Sequence, residues 1–185
     1  MTTPLYRRLL GERFEQLPAQ VRELHDLTGT SVWAGRADVT RGRSLASRMV
    51  ATVMRLPRPG RDQMLRVVFR SADGREVWER SFNGVVFRSV QDASGGLLRE
   101  RVGPSTFTFA LDAASDGMAL KLKGVRFLGV PIPRLLMPVV LTFESEREGR
   151  YCFEVEASLP GLGLLVRYGG WLEREESPTG RLQLV

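Results

Sequence analysis

The chain offers few groups for acid–base or nucleophilic chemistry: one histidine, one cysteine and two lysines stand among 185 residues. His25 precedes Asp26, a pairing that invites a catalytic reading. Adjacent helical residues do not face each other, so Asp26 cannot orient the imidazole across a helix face. A surface histidine at a helix C-terminus is the expectation. Cys152 would need a base to become a nucleophile. Strand alternation sets it beside Glu154 and Glu156, whose charge raises a thiol pKa, so it reads as a structural thiol. Glu76, Glu100 and Glu144 could supply a pair of catalytic carboxylates, although no spacing among them demands convergence. A single His and a single Cys exclude a Cys/His metal cluster and an internal disulfide, and neither metal nor cofactor is expected. Gly161-Leu-Gly163 opens like a dinucleotide fingerprint, but Val166 occupies the third glycine position and no βαβ unit surrounds it. Asp112 and Asp116 flank a turn without the ligand density of a calcium loop.

A different pattern recurs beyond residue 75. Charged residues appear singly on otherwise apolar strand faces. Arg80 shares a face with Trp78 and Phe82, Arg88 with Val86 and Val90, and Glu100 with Leu98 and Val102. Arg167 and Trp171 share one face of their strand, opposite Val166 and Tyr168. Such alternation suits either an outer surface that keeps some apolar residues or a cavity with a few polar groups that orient a ligand. On the cavity reading, Arg80, Arg88, Glu100 and Arg167 are polar anchors, and Trp33, Trp78, Tyr168 and Trp171 are apolar walls.

The elements that would position these residues follow from periodicity and turn chemistry. From Pro4 to Leu27, apolar residues recur at three- and four-residue steps, and Pro18 should divide this stripe into two short helices. A first strand is expected over 30–39. Residues 44–56 read as an amphipathic helix, apolar on one half with Arg48, Thr52 and Arg55 on the other, stopped by Pro57, Pro59 and Gly60. Beyond it, turn signals such as Asp73-Gly74, Asn83-Gly84, Gly95-Gly96 and Glu148-Gly149 punctuate short apolar-rich runs. The spacing predicts nine further strands: 62–72, 75–82, 85–93, 97–102, 105–112, 118–128, 139–147, 150–158 and 164–173. Arg134 to Met137 suits one helical turn. Ten sequential antiparallel strands would curl into a barrel or strongly curved sheet, mainly β with minor α, because closure removes exposed edges. A helix-grip α+β fold is the alternative. One domain over 1–185 is expected, with a helical segment 1–28, a β-rich body 29–173 and a loosely ordered tail 174–185.

Charge is local. The 27 basic residues include only Lys121 and Lys123 besides arginine, and the net charge is +6. Residues 36–70 hold nine arginines against Asp38 and Asp62, or +7, so the remainder sums to about −1. The expected basic surface is Arg43, Arg48, Arg55 and Arg58 around the helix. It could meet an acidic protein partner or an anionic membrane surface. Nucleic acid is disfavoured, because the window contains Phe69 alone among aromatics. The opening residues lack a signal-peptide core and no stretch approaches 18 uncharged apolar residues, which with one unpaired Cys152 leads to a cytoplasmic expectation.

Several segments are similar to a bacterial family known as domain of unknown function 4166: Trp78-Glu-Arg-Ser-Phe-Asn-Gly84, Gly96-Leu-Leu-Arg-Glu-Arg-Val-Gly-Pro104 with Phe107 and Phe109, Gly129-Val-Pro-Ile-Pro133, and Leu164-Leu-Val-Arg-Tyr-Gly-Gly-Trp-Leu172. Leu5-Tyr6, Leu10-Gly11, Phe14 and Leu17-Pro18 resemble its opening. The resemblance implies a domain found alone or fused to oxidoreductase-like or membrane domains, with no assigned catalytic residues. The sequence therefore favours binding of a hydrophobic or amphipathic small molecule, of lipid or acyl type, over catalysis. An accessory module that meets an oxidoreductase or membrane-surface partner through the basic helix 44–56 is one alternative, and an enzyme of unknown reaction is another.

Overall fold

Turn chemistry sets the connectivity. Asp73-Gly74 and Asn83-Gly84 place two successive residues at positive φ, the backbone that two-residue hairpins require. The computed structural model describes residues 3–54 and 56–175. Three short helical pieces come first: α1 (Leu5–Leu10), a 3-10 segment (Gly11–Gln16) and α2 (Ala19–His25). The strands are β1 (Gly29–Arg41), β2 (Gly60–Ala72), β3 (Arg75–Phe82), β4 (Val85–Ser94), β5 (Leu97–Val102), β6 (Ser105–Ala114) and β7 (Gly117–Phe127), then the two-residue β8 (Val130–Pro131), β9 (Val139–Arg147), β10 (Arg150–Leu159) and β11 (Gly163–Arg174). Helix α3 (Leu45–Val53) joins β1 to β2, and a single 3-10 turn spans Arg134–Leu136.

Every pairing is antiparallel, and ten strands close a ring: β1 to β7 in sequence, then β9, β10, β11 and back to β1. Strand β8 pairs only with β7. Closure sets aside the helix-grip alternative. The β1–β11 junction is long, from Trp33↔Arg174 to Arg41↔Val166. The other junction is short: β7 and β9 are registered only through Met118↔Glu144 and Ala119↔Phe143. Towards the opposite rim they part, and the 128–138 loop covers the space between them.

The ring has two unlike ends. At one, the N-terminal segment folds inward as a plug, burying Leu5, Tyr6, Phe14, Val21 and Leu24. Pro4 and Pro18 sit just before α1 and α2, where a missing N–H costs nothing. Arg7 ties the plug together, donating to Asp26 at 3.0 Å and also pairing with Glu15. At the other end lies the mouth, where β1 gives way to α3 and β7 to the 128–138 loop. Ser44 caps α3 by accepting from the Ser47 backbone at 3.1 Å. Helix α3 is shorter than the 44–56 expectation, and Arg55 lies outside the described residues. The tail expected over 174–185 lies outside them from residue 176 onward, while Arg174 closes β11.

Close backbone approach at the β1–β11 junction demands glycine. A Cβ on Gly170 would lie 1.9 Å from the Arg36 carbonyl oxygen, whereas a Cβ on Gly124 would meet nothing within 4 Å. Gly170→Ala should lower stability by about 2–3 kcal/mol through forced strand separation. Gly124→Ala should stay within about 0.5 kcal/mol of wild type. Paired urea melts measure both.

Candidate functional site

Inward-facing side chains leave a cavity of about 470 Å³ running from the mouth towards the plug. Its walls are mostly apolar: Leu65, Val67, Phe69, Phe107, Phe109 and Leu120 are typical. At the mouth it is bounded by Val50, Met54 and Leu56 on one side, and by Ile132, Leu136 and Pro138 on the other. Strand alternation explains the lining. In β3, Glu76, Trp78, Arg80 and Phe82 point inward at every second position.

Polar groups gather towards the plugged end. Tyr6 donates its hydroxyl to Gln91 Oε1 at 2.9 Å, and Gln91 Nε2 donates to Glu100 Oε1 at 3.2 Å. Arg80 Nη2 lies 3.6 Å from the same Glu100 oxygen, while Nη1 donates to Ser89 Oγ at 2.9 Å. The Arg80 guanidinium also covers the Trp78 ring at 4.6 Å, a cation–π contact in a confined space. Glu144 faces the cavity, and His25 Nε2 donates to its Oε2 at 2.5 Å from the plug side. Tyr6 lies against that imidazole, with ring centroids 3.8 Å apart. Just beneath, Trp78 Nε1 donates to Glu76 Oε2 at 3.0 Å. His25 Nδ1 and Glu76 Oε1 have no hydrogen-bond partner among the described residues.

Burial shapes the ionisation of this cluster. Tyr6 and Tyr151 are both held far above the ordinary phenol range, first by burial and next by the negative charge of Glu144. Tyr168, also on the wall, is raised by burial. The Glu76 carboxyl is raised by burial, partly offset by the Trp78 hydrogen bond and by His25. Low dielectric penalises each anion that lacks a full set of donors.

Glu144, one of the three carboxylates singled out by sequence, lines the cavity, and of the eight expected anchors and walls Trp78, Arg80, Glu100 and Tyr168 converge on it. The others do not. Trp33 is buried deeper, edge-on to Tyr151 at 6.3 Å, in the core under the cavity floor. Arg88 is outside the ring, 3.8 Å from Glu79. Arg167 is outside as well, paired with Glu156. Trp171 stands on the outer wall under the Arg150 guanidinium, 4.4 Å away. The reason is parity: residues 167 and 171 share a face opposite Val166 and Tyr168, and one ring has one inside. His25 corrects the expectation of a surface histidine, since it is fully buried, and Asp26 binds Arg7 instead. Cys152 has a raised pKa, but burial is the main cause and Arg147 and Arg150 oppose it. Asp112 pairs with Lys121 across the β6–β7 hairpin. Arg43, Arg48 and Arg58 are exposed near the mouth. Sequence reasoning missed Tyr6, Gln91 and Tyr151, and it left Glu144 without a partner. Among the described residues, no group of three His, Cys, Asp or Glu side chains is placed to hold a metal ion.

The family model for Domain of unknown function (DUF4166) matches residues 17–172. The chain belongs to that family. No curated protein matches it. Among solved structures, the crystal structure of Rv2717c from M. tuberculosis is similar with a TM-score of 0.48 and 13% sequence identity, covering 86% of this chain and 99% of that one. The DUF4166 match spans the whole ring up to Leu172 and includes α2, so His25 and every cavity-facing strand fall within it.

Glu76 gives this DUF4166 domain a pH signature. A carboxyl raised on folding binds its proton more tightly in the native state, so its contribution is intact below the unfolded-state value. That contribution is lost as pH rises through the folded value. Glu76→Gln keeps an acceptor for Trp78 and removes the buried charge. The variant's stability relative to wild type should therefore grow as pH rises from about 4.5 towards neutrality. Thermal melts across that range check the slope.

Proposed function

We propose that the domain holds a single-chain amphipathic small molecule, with its apolar part along the cavity walls and an uncharged polar head at the plugged end. One observation supports this reading above others: an apolar chamber of about 470 Å³ whose polar groups cluster opposite its mouth. Ligand sites of this kind combine apolar lining with a few placed polar groups.

The head-group chemistry follows from charge. The lining contains two carboxylates, Glu100 and Glu144, against one guanidinium, Arg80, which already pairs with Glu100. Each lining charge already has a partner, Glu100 in Arg80 and Glu144 in His25, so a ligand carboxylate would find no free cation. A hydroxyl or amide head can accept from Arg80 and donate to Glu144 without needing one. The phenols of Tyr151 and Tyr168 stand on the wall and can donate to it.

The reading is tested by native mass spectrometry of protein purified without detergent, followed by tryptophan fluorescence titration with a long-chain alcohol and the fatty acid of equal length. A bound adduct, or quenching by the alcohol at an affinity about tenfold above the acid, is the expected result. Ala157→Trp, placed on the cavity wall, should reduce uptake by at least about tenfold while the protein still melts cooperatively. A clean apo mass with no quenching by either amphiphile would sink the proposal.

A further inference from the structure

All the large exposed apolar side chains among the described residues lie towards the mouth. On α3, Leu45, Met49 and Val53 are exposed by 82%, 67% and 66%. They are spaced i, i+4, i+8, so they form one outward stripe. The helix instead seats its small residues, Ser47 and Ala51, which are fully buried. A Cβ on Gly42 would sit 2.5 Å from Ser47 Oγ, so that seat admits only small groups. The apolar half of the helix is thus divided. Val50 and Met54 turn into the cavity, and Leu45, Met49 and Val53 face solvent.

Across the mouth, the 128–138 loop does the same. Leu128, Val130 and Leu135 are exposed by 74%, 64% and 83%. A small pairing of β8 with β7 and the bond from the Ile132 N–H to the Val125 carbonyl, 2.9 Å, hold the loop in this posture. Side chains of this size, gathered at one end of a molecule, mark an interaction surface.

Charge selects its partner. Residues 39–61 contain no acid and six arginines, and residues 117–143 contain no acid beside Lys121, Lys123, Arg126 and Arg134. These windows supply α3 and the loop. Arg43, Arg48, Arg58, Arg126 and Arg134 therefore ring the apolar patch, without a carboxylate from either segment. The opposite end is balanced, since Glu12, Glu15, Glu23 and Asp26 on the plug stand against Arg7, Arg8, Arg13 and Arg22. The wall between carries exposed ion pairs such as Arg70–Glu79 and Arg150–Glu173, a composition for water rather than for acyl chains. No helix among the described residues is long and apolar enough to cross a membrane.

We infer that the mouth docks on the surface of an anionic lipid bilayer, inserting the Leu45–Met49–Val53 stripe and the 128–135 loop while the arginines meet phosphate headgroups. Apolar side chains at the acyl boundary and basic side chains at headgroup level are the two components of interfacial binding. Lipid suits this surface better than a folded acidic partner, because the apolar groups stand on separate elements around an opening and present no continuous groove. The inference does not depend on what occupies the cavity.

Flotation of the full chain with phosphatidylcholine vesicles, with and without phosphatidylglycerol, tests it. Wild type should float with the anionic vesicles, at least about tenfold more than with phosphatidylcholine alone, and added salt should reduce the difference. Met49→Glu combined with Leu135→Glu should remove flotation, and Arg48→Glu combined with Arg134→Glu should reduce it about tenfold. All four sites are exposed, so unchanged melting and circular dichroism exclude misfolding as the cause. Absence of wild-type flotation, equal flotation with neutral vesicles, or variants that float like wild type would each overturn the inference. A dimer that buries α3 and stays off vesicles would overturn it too, in favour of a second copy as occupant.

Discussion

The ring is completed where β7 meets β9, and much of the molecule depends on how briefly they meet. A sheet edge exposes unpaired N–H and C=O groups, so a barrel must either pair its last edge or cover it. Here the edge is paired only near the plug, through Met118↔Glu144 and Ala119↔Phe143. Gly117 makes this possible, since a Cβ there would lie 2.2 Å from the Glu144 carbonyl oxygen. Glu144 thereby serves two structures at once. Its backbone closes the ring, and its side chain takes the hydrogen bond from His25 that seats α2. Displacing either would disturb the other, and with it the position of a carboxylate on the cavity wall.

Away from that junction the constraint relaxes. Strand β7 gives part of its free edge to β8, and Ile132, Leu136 and Pro138 fill the slot from the loop. The two ends of the cavity therefore differ physically. The plugged end is a hydrogen-bonded network in which Tyr6, Gln91, Glu100 and Arg80 restrain one another. The mouth is bounded by apolar contacts, which are less directional and adapt to a guest more easily. In the proposed binding role, entry would fall to the adaptable end and recognition to the restrained one.

Much of this architecture was legible in the sequence, because turn residues and strand alternation are local signals. Asp73-Gly74 and Asn83-Gly84 placed two hairpins, and period-2 reading put Trp78, Arg80 and Phe82 on one face. Which face is inside was not legible, because β11 carries Trp171 and Arg167 on one side and Tyr168 on the other, and composition alone does not rank them. The contacts that build the plugged end join distant positions: Tyr6 meets Gln91, and His25 meets Glu144. No spacing rule connects such pairs, so a histidine near a helix end looked solvent-facing although its helix is folded into the barrel. The outward apolar stripe of α3 was hidden for a related reason. An amphipathic pattern specifies two faces but not which one the body receives.

The plug also has a thermodynamic meaning. Residues 3–25 reach the cavity floor directly, through the Tyr6 hydroxyl and the imidazole behind Glu144. Without them the ring would be a tube open at both ends, and water would reach the polar cluster from below. In the proposed role, a guest that engages this cluster would strengthen the seating of the N-terminal segment, and by reciprocity the seated segment would strengthen retention of the guest to the same degree. Emptying the chamber and loosening the first helix would then be two coordinates of one equilibrium.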